Sequence, residues 1–205
     1  MKKNDKKNLG KTFWQSRYEQ GKIGWDMGCT SPPIKAFIDS ELANASRDLS
    51  ILIAGAGNAH EAQYLHQQGF NNVTVVDLVR APLDNFADNV PTFNKKHLLE
   101  SDFFALDEQT HQFDLSIEQT FFCAIDPERR AEFVQKTYTL LKPRGRLIGL
   151  LWDCDFASDE PPFGGSKAEY EALFSEQFEL VRLVPCANSH PKRQGRELFV
   201  EFVKK

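Results

Sequence analysis

Apolar positions along the chain fall in short unbroken runs separated by longer stretches of helical period. LSILIA (49–54) is such a run, and its length and lack of alternation predict a strand buried on both faces. NAHEAQYLHQQG reads as a helix closed by Gly69, and NVTVVD as a second strand. APLDNFADNV is a helix, KHLLESDFF carries a short third strand, and FDLSIEQTFF is a fourth. In PERRAEFVQKTYTLL, Phe133, Thr137, Leu140 and Leu141 share one face, which predicts a packed helix. KPRG is expected as a turn and RLIGLLW as a fifth strand. KAEYEALFSEQF is a helix, and ELVRLVPC and ELFVEFV are two closing strands, the second alternating apolar with polar. Ahead of all this, residues 1–10 read as a polar tail and 11–45 as two helices split by GKIGWDMGCTSPP. Ser31 is placed to cap the second of these, with prolines in its first turn.

Strands alternating with helices predict an α/β fold: a doubly wound, mostly parallel sheet with helices on both faces. The last two strands are separated by only about a dozen residues, among them NSHPKRQG, rich in turn formers and without a crossover helix, so they are expected to pair as an antiparallel hairpin.

In such a sheet, ligands sit at the carboxyl ends of the strands, at the switch point. Gly55 and Gly57 stand where the first strand turns into its helix, where glycine permits a tight turn and close ligand approach. Asp77 ends the second strand, where a carboxylate can accept hydrogen bonds from both ribose hydroxyls of an adenosine. Its plainer reading is a cap for the next helix. Asp102 and Phe103 follow the third strand; they suit an adenine amino group and an apolar wall, or an ordinary strand-to-loop turn. A nicotinamide dinucleotide and S-adenosylmethionine (SAM) both fit this beginning. The dinucleotide fingerprint G-x-G-x-x-G/A has His60 at its last position here, where an imidazole would crowd the helix–strand contact. That disfavours the dinucleotide.

Composition narrows the setting. With 205 residues, 41% apolar residues and seventeen Phe, the chain can form one domain with a substantial core. A net charge of −4 argues against a nucleic-acid partner. No apolar run approaches a membrane span, and MKKNDKKN is not followed by the apolar stretch of a secretory signal. The expectation is a soluble, cytoplasmic protein with no membrane partner, a monomer or weak homodimer. Cys29, Cys123, Cys154 and Cys186 are scattered without a C-x-x-C pair, so no metal site is expected and the thiols read as buried and reduced.

IEQTFFCAIDPERRAEFVQKTYTLLKPRGRLIGLL resembles the thiopurine S-methyltransferase family, in particular its halide/thiol methyltransferase-like branch. FWQSRYEQGKIGWDMG is similar to that branch's N-terminal segment, with aromatics spaced by four and seven; IAGAGNAHEA is similar to its glycine loop, and PPF and NSHPKRQGRE to its C-terminal region. The resemblance implies a class I SAM-dependent methyltransferase: a seven-stranded Rossmann-like sheet (46–205) with an N-terminal helical lid (1–45). It implies SAM as cofactor and methyl transfer to sulfur or another soft nucleophile of a small molecule. It also implies cofactor contacts at Trp14, Tyr18, Trp25, Gly55, Gly57, Asp77, Asp102, Phe103 and Gln119. The chain departs from the branch at Tyr18, where Trp is usual, at Ala54, where Pro is usual, and at Gln119, where Tyr is usual. The last difference lies near the transferable methyl and weakens the case for a halide acceptor.

Without the resemblance, Trp14 and Tyr18 are a pair on one helix face, most simply a packing stripe. With it, they become a lid whose rings face a sulfonium. Methyl transfer to a soft anion needs alignment and desolvation rather than a base. Accordingly no catalytic side chain is assigned, and His60, His66 and His111 are taken as solvated or packing residues. Phe121 is expected at the acceptor pocket or in the core. Arg193, in the final turn with His190, is expected either to attract an anionic substrate or to be a solvated cation. Two other readings stay open: an NAD-dependent oxidoreductase and a non-catalytic SAM-binding module.

Overall fold

The computed structural model describes residues 9–205, so the expected tail falls largely outside the described residues. The chain runs α1 (Lys11–Glu19), α2 (Pro32–Glu41), β1 (Ile51–Ala54), α3 (His60–Gln67), β2 (Val73–Asp77), α4 (Arg80–Asn89), β3 (Leu98–Glu100) and β4 (Phe113–Gln119). It continues through α5 (Arg130–Leu140), β5 (Leu141–Trp152), α6 (Lys167–Phe174), β6 (Phe178–Pro185) and β7 (Glu197–Lys204). The strands form one sheet in the order β3-β2-β1-β4-β5-β7-β6. β1 pairs in parallel with β2 and β4, and β7 lies antiparallel between β5 and β6. No described helix is long and apolar enough to cross a membrane.

β1 shows why its sequence is a continuous apolar run. Ile51 and Ile53 enter a core with α2, α3 and α4 on one face, while Leu52 and Ala54 enter a second core with α5 and α6 on the other. Full burial of each large side chain contributes on the order of 1.5–3 kcal/mol. Of the four residues predicted to share a helix face, Phe133, Thr137 and Leu140 are buried on α5, whereas Leu141, also buried, already opens β5; β4 stops at Gln119, short of the TFF expected to continue it.

Three local expectations change. KPRG does turn, with Arg144 at φ 62, but it does so inside β5: β4 pairs with Leu141 before it and with Arg146 after it, so four residues bulge out of a continuing ladder. Ser31 stands at the N-cap of α2 ahead of Pro32 and Pro33, yet its hydroxyl caps nothing; its backbone N–H instead donates to Glu61 at 2.9 Å. Of the cysteines, Cys123 and Cys186 are buried, whereas Cys29 is exposed and Cys154 intermediate.

The alternation in β7 also has a specific cause. β7 is an inner strand covered on both faces, so its acids are buried: Glu201 accepts from Arg182 at 2.6 Å and from Arg146 at 3.1 Å. The strand order reverses between β1 and β4, and this switch point opens a crevice at the carboxyl ends of the parallel strands.

Candidate active site

A cavity of about 870 Å³ lies over that crevice. The ends of β1, β2 and β3 supply Gly55, Asp77, Asp102 and Phe103; the N-terminal segment supplies Trp14, Tyr18 and Trp25. Phe121, Cys123, Trp152, Phe156 and Arg193 line the rest of the wall. Gly57 and Gln119 line a separate cavity of about 40 Å³ behind the glycine loop, shared with Asp26, Asn58, His60 and Glu61. The structure therefore gathers nine of the eleven predicted site residues on one cavity and puts two on its neighbour.

The loop after β1 is built from left-handed residues at every second position: Gly55 (φ 57), Gly57 (φ 53) and Ala59 (φ 54). The two glycines answer different demands. A Cβ on Gly55 would lie 2.3 Å from Cδ2 of Phe121, whereas one on Gly57 would lie 3.1 Å from Oη of Tyr18. Gly55 thus makes room for the β4–α5 connection, and Gly57 for the N-terminal segment.

Asp77 is buried at the end of β2, and its carboxylate accepts the N–H of Gly57 on one oxygen and of Val79 on the other, both at 2.9 Å. Burial pushes its pKa up, while these N–H bonds pull it back. Asp77 therefore does form the turn before α4, and each oxygen keeps lone-pair capacity toward the cavity. Asp102 caps the short turn that follows β3, accepting from Phe104 N–H at 2.9 Å. Phe103 is buried against the rings of Phe121 and Phe133, with centroids at 5.3 Å and 5.4 Å.

The aromatic residues of the N-terminal segment form one group. Trp25 meets Trp14 and Tyr18 edge to face, with centroids at 5.5 Å and 5.7 Å. Burial keeps the Tyr18 phenol protonated, and Asp77 reinforces this.

Beyond β4 the chain tightens into a turn that sequence reasoning did not anticipate. Thr120 adopts φ 61, a strained conformation for a β-branched residue, and it lines both cavities. Buried Glu118 fixes this turn by accepting from Phe121 N–H at 2.9 Å and Phe122 N–H at 3.0 Å, and burial pushes its carboxyl up to about 7. Burial likewise pushes the Cys123 thiol up to about 12, so it remains an uncharged wall group. Both polar atoms of the Gln119 amide are buried and have no hydrogen-bond partner among the described residues.

Arg193 is not a solvated cation. It is buried, 3.3 Å from buried Glu197, and donates to the Trp25 carbonyl at 2.7 Å. His60 is not idle either: its Nε2 lies 2.8 Å from Asp26, turned toward the N-terminal segment rather than into a helix–strand contact. His66 bonds Thr92 at the surface, and His111 is held in its own loop. Trp152 and Phe156 were also missed. Trp152 ends β5, and the strand-end rule that picked Asp77 points to it as well; Phe156 lies in a loop with no such signal.

The strand order, the crevice at the switch point and the glycine cradle define the class I methyltransferase fold. The structure of Burkholderia thailandensis 1,6-didemethyltoxoflavin-N1-methyltransferase, with bound 1,6-didemethyltoxoflavin and S-adenosylhomocysteine (SAH), superposes with a TM-score of 0.78 at 21% identity, covering 95% of this chain and 87% of that one. The chain belongs to the thiopurine S-methyltransferase family, whose model matches residues 9–204. It is 30% identical over 188 residues to probable thiol methyltransferase 2 of Arabidopsis thaliana, covering 90% of this chain and 81% of that protein. It is 28% identical over 180 residues to thiopurine S-methyltransferase of Vibrio cholerae, covering 79% of each.

Proposed function

We propose that this chain transfers a methyl group from SAM to the sulfur, or another soft nucleophile, of a small molecule. The observation that carries the reading is the state of the carboxylates around the cavity. Asp26, Asp77, Asp102 and Asp126 each already accept a backbone N–H, from Gly28, Gly57 and Val79, Phe104 and Glu128 respectively. No histidine among the described residues lines the cavity. Such a wall suits a nucleophile that arrives as an anion and needs no proton removed.

The residues fit the cofactor on structural grounds: a cradle that a Cβ at Gly55 would fill, spare acceptor capacity on Asp77, and the unpartnered amide of Gln119. Asp77 would hold the ribose, Asp102 the adenine amino group beside Phe103, and Gly55, Gly57 and Gln119 the amino-acid end. When bound, SAM supplies an activated methyl on a sulfonium. Trp14, Tyr18 and Trp25 would form a lid over this cation, where an aromatic face contributes about 0.5–2 kcal/mol, and would exclude water. Phe121, Cys123 and Trp152 give the acceptor an apolar chamber that strips its hydration. Arg193, its charge matched by Glu197, serves the site by holding Trp25 rather than by drawing in an anion. A cytoplasmic setting and a monomer or weak homodimer belong to the same reading.

Methyl transfer from labelled SAM to a panel of thiols, hydrosulfide, oxygen and nitrogen acceptors tests it. Turnover of the sulfur acceptors is expected; turnover of oxygen or nitrogen acceptors alone refutes it. Calorimetry should show binding of SAH and none of NAD.

A further inference from the structure

No side chain of α1 is fully buried, so apolar packing alone holds it only loosely over the cavity. At its two ends it is tied by ion pairs, Lys11 to Glu100 and Arg17 to Glu160. The strap that follows turns at Gly21, Gly24 and Gly28, and a Cβ on any of the three would meet nothing within 4 Å. Loosely packed turns need another fastening. It is polar, and it runs to the first turn of α3.

Asp26 is its centre. One carboxylate oxygen lies 2.8 Å from Nε2 of His60 and accepts the Gly28 N–H at 2.6 Å; the other accepts from the Asn58 amide. Thr30 adds a bond from its hydroxyl to the His60 carbonyl at 3.0 Å. Asp26 directly follows Trp25, the ring against which Trp14 and Tyr18 rest. The contact between Asp26 and His60 is thus one residue from the hub of the aromatic group.

We propose that His60 is a positioning residue for methyl transfer: paired with Asp26, its imidazolium clasps the strap to the glycine loop and so holds Trp25, Tyr18 and Trp14 over the cofactor. This rests on the cofactor reading above. The charged groups that act on His60 are Asp26 from the strap and Glu61 on its own helix, and Arg193 from the β6–β7 connection acts in turn on Glu61. Asp26, with Glu61 in support, holds the imidazole pKa above its ordinary value against the opposing effect of burial, and His60 in turn holds Asp26 below the usual carboxylate range. The sign follows. The ion pair is complete below the ordinary imidazole pKa and is reduced to a neutral hydrogen bond as pH rises through the raised one, so the lid loosens with increasing pH.

The test is SAH binding to the full chain from pH 6 to 8.5, followed by the fluorescence of the three tryptophans, all of which line the cavity, with thermal midpoints measured in parallel. The wild type is expected to lose affinity several-fold across this range. His60→Gln should bind roughly tenfold more weakly at pH 6, the worth of one partly screened charged hydrogen bond, and its profile should be flat. Asp26→Asn should give the same flat profile while keeping the imidazole, and the double variant should add nothing. Should His60→Gln fold poorly, the wild-type profile and Asp26→Asn decide the matter. A flat wild-type profile, or variants that bind SAH with the wild-type affinity and slope, overturn the clasp and leave the cofactor reading standing. Failure of SAH to bind the wild type at every pH overturns both.

Discussion

Gly55→Ala isolates what the glycine cradle is for. The new methyl would meet two obstacles. The first is the backbone: φ 57 is left-handed, which costs an alanine about 1–2 kcal/mol. The second is Phe121, whose Cδ2, Cγ and Cβ would lie 2.3, 2.5 and 2.8 Å from the added carbon. The Cβ cannot rotate away and the ring is wedged against Phe103 and Phe133, so the side chain cannot simply swing aside, and such overpacking costs about 1–3 kcal/mol. The sum is roughly 2–5 kcal/mol, or a fall in Tm of roughly 4–20 °C for a chain of this size. Gly57→Ala shares the backbone cost, but its nearest neighbour is the hydroxyl end of Tyr18 at 3.1 Å, on a helix with no fully buried residue. It should lose only roughly 2–8 °C, with SAH affinity reduced as Tyr18 is pushed off the loop. Scanning calorimetry of Gly55→Ala in the wild-type and Phe121→Ala backgrounds completes the cycle. Without the ring, only the contact with the Phe121 Cβ at 2.8 Å remains, so most of the excess cost over Gly57→Ala should disappear. A coupling between positions 55 and 121 below about 0.5 kcal/mol would refute the argument.

Three further outcomes are expected. Glu118 has a folded pKa of about 7 against an ordinary 4.5, so the folded chain holds its proton more tightly and stability falls as pH rises through that window. Glu118→Gln keeps an acceptor for Phe121 and Phe122 and should remove about 3 kcal/mol of that fall; identical denaturation profiles at pH 4.5 and 8 for variant and wild type would contradict it. Arg193→Met strands Glu197 in the interior and should cost about 3–5 kcal/mol in urea unfolding, while adding Glu197→Leu should recover most of it; a stable single variant would show that the pair is not balanced as described. Asp77→Asn should weaken SAH binding by about 1–3 kcal/mol by calorimetry, and an unchanged affinity would take Asp77 out of the site.

The order of elements and the doubly wound fold were legible in the sequence because each rests on local periodicity and on glycine, proline and acid punctuation. β1 reads as buried on both faces because two cores claim its alternate residues. The strand-end residues Gly55, Asp77 and Asp102 were legible for a related reason: in a parallel sheet, chain position along a strand fixes which end of the sheet a residue reaches. The aromatic group of Trp14, Tyr18 and Trp25 was not legible from spacing alone, which most simply gives a packing stripe; the lid reading came from the resemblance.

Other features depend on partners far apart in the chain, and these only the tertiary structure decided. Whether Arg193 is solvated or buried depends on Glu197 and on the carbonyl of Trp25, 168 residues away. His60 becomes a clasp only because a carboxylate 34 residues earlier is folded back onto it. KPRG lies inside a strand rather than ending one because β4 pairs on both sides of it, and the acids of β7 are buried because that strand is inserted between two others. The sequence determined which segments are helix, strand and loop and where the ligand edge lies. The charge state and work of each polar group around that edge were settled by tertiary contacts, because burial and pairing are properties of neighbours in space.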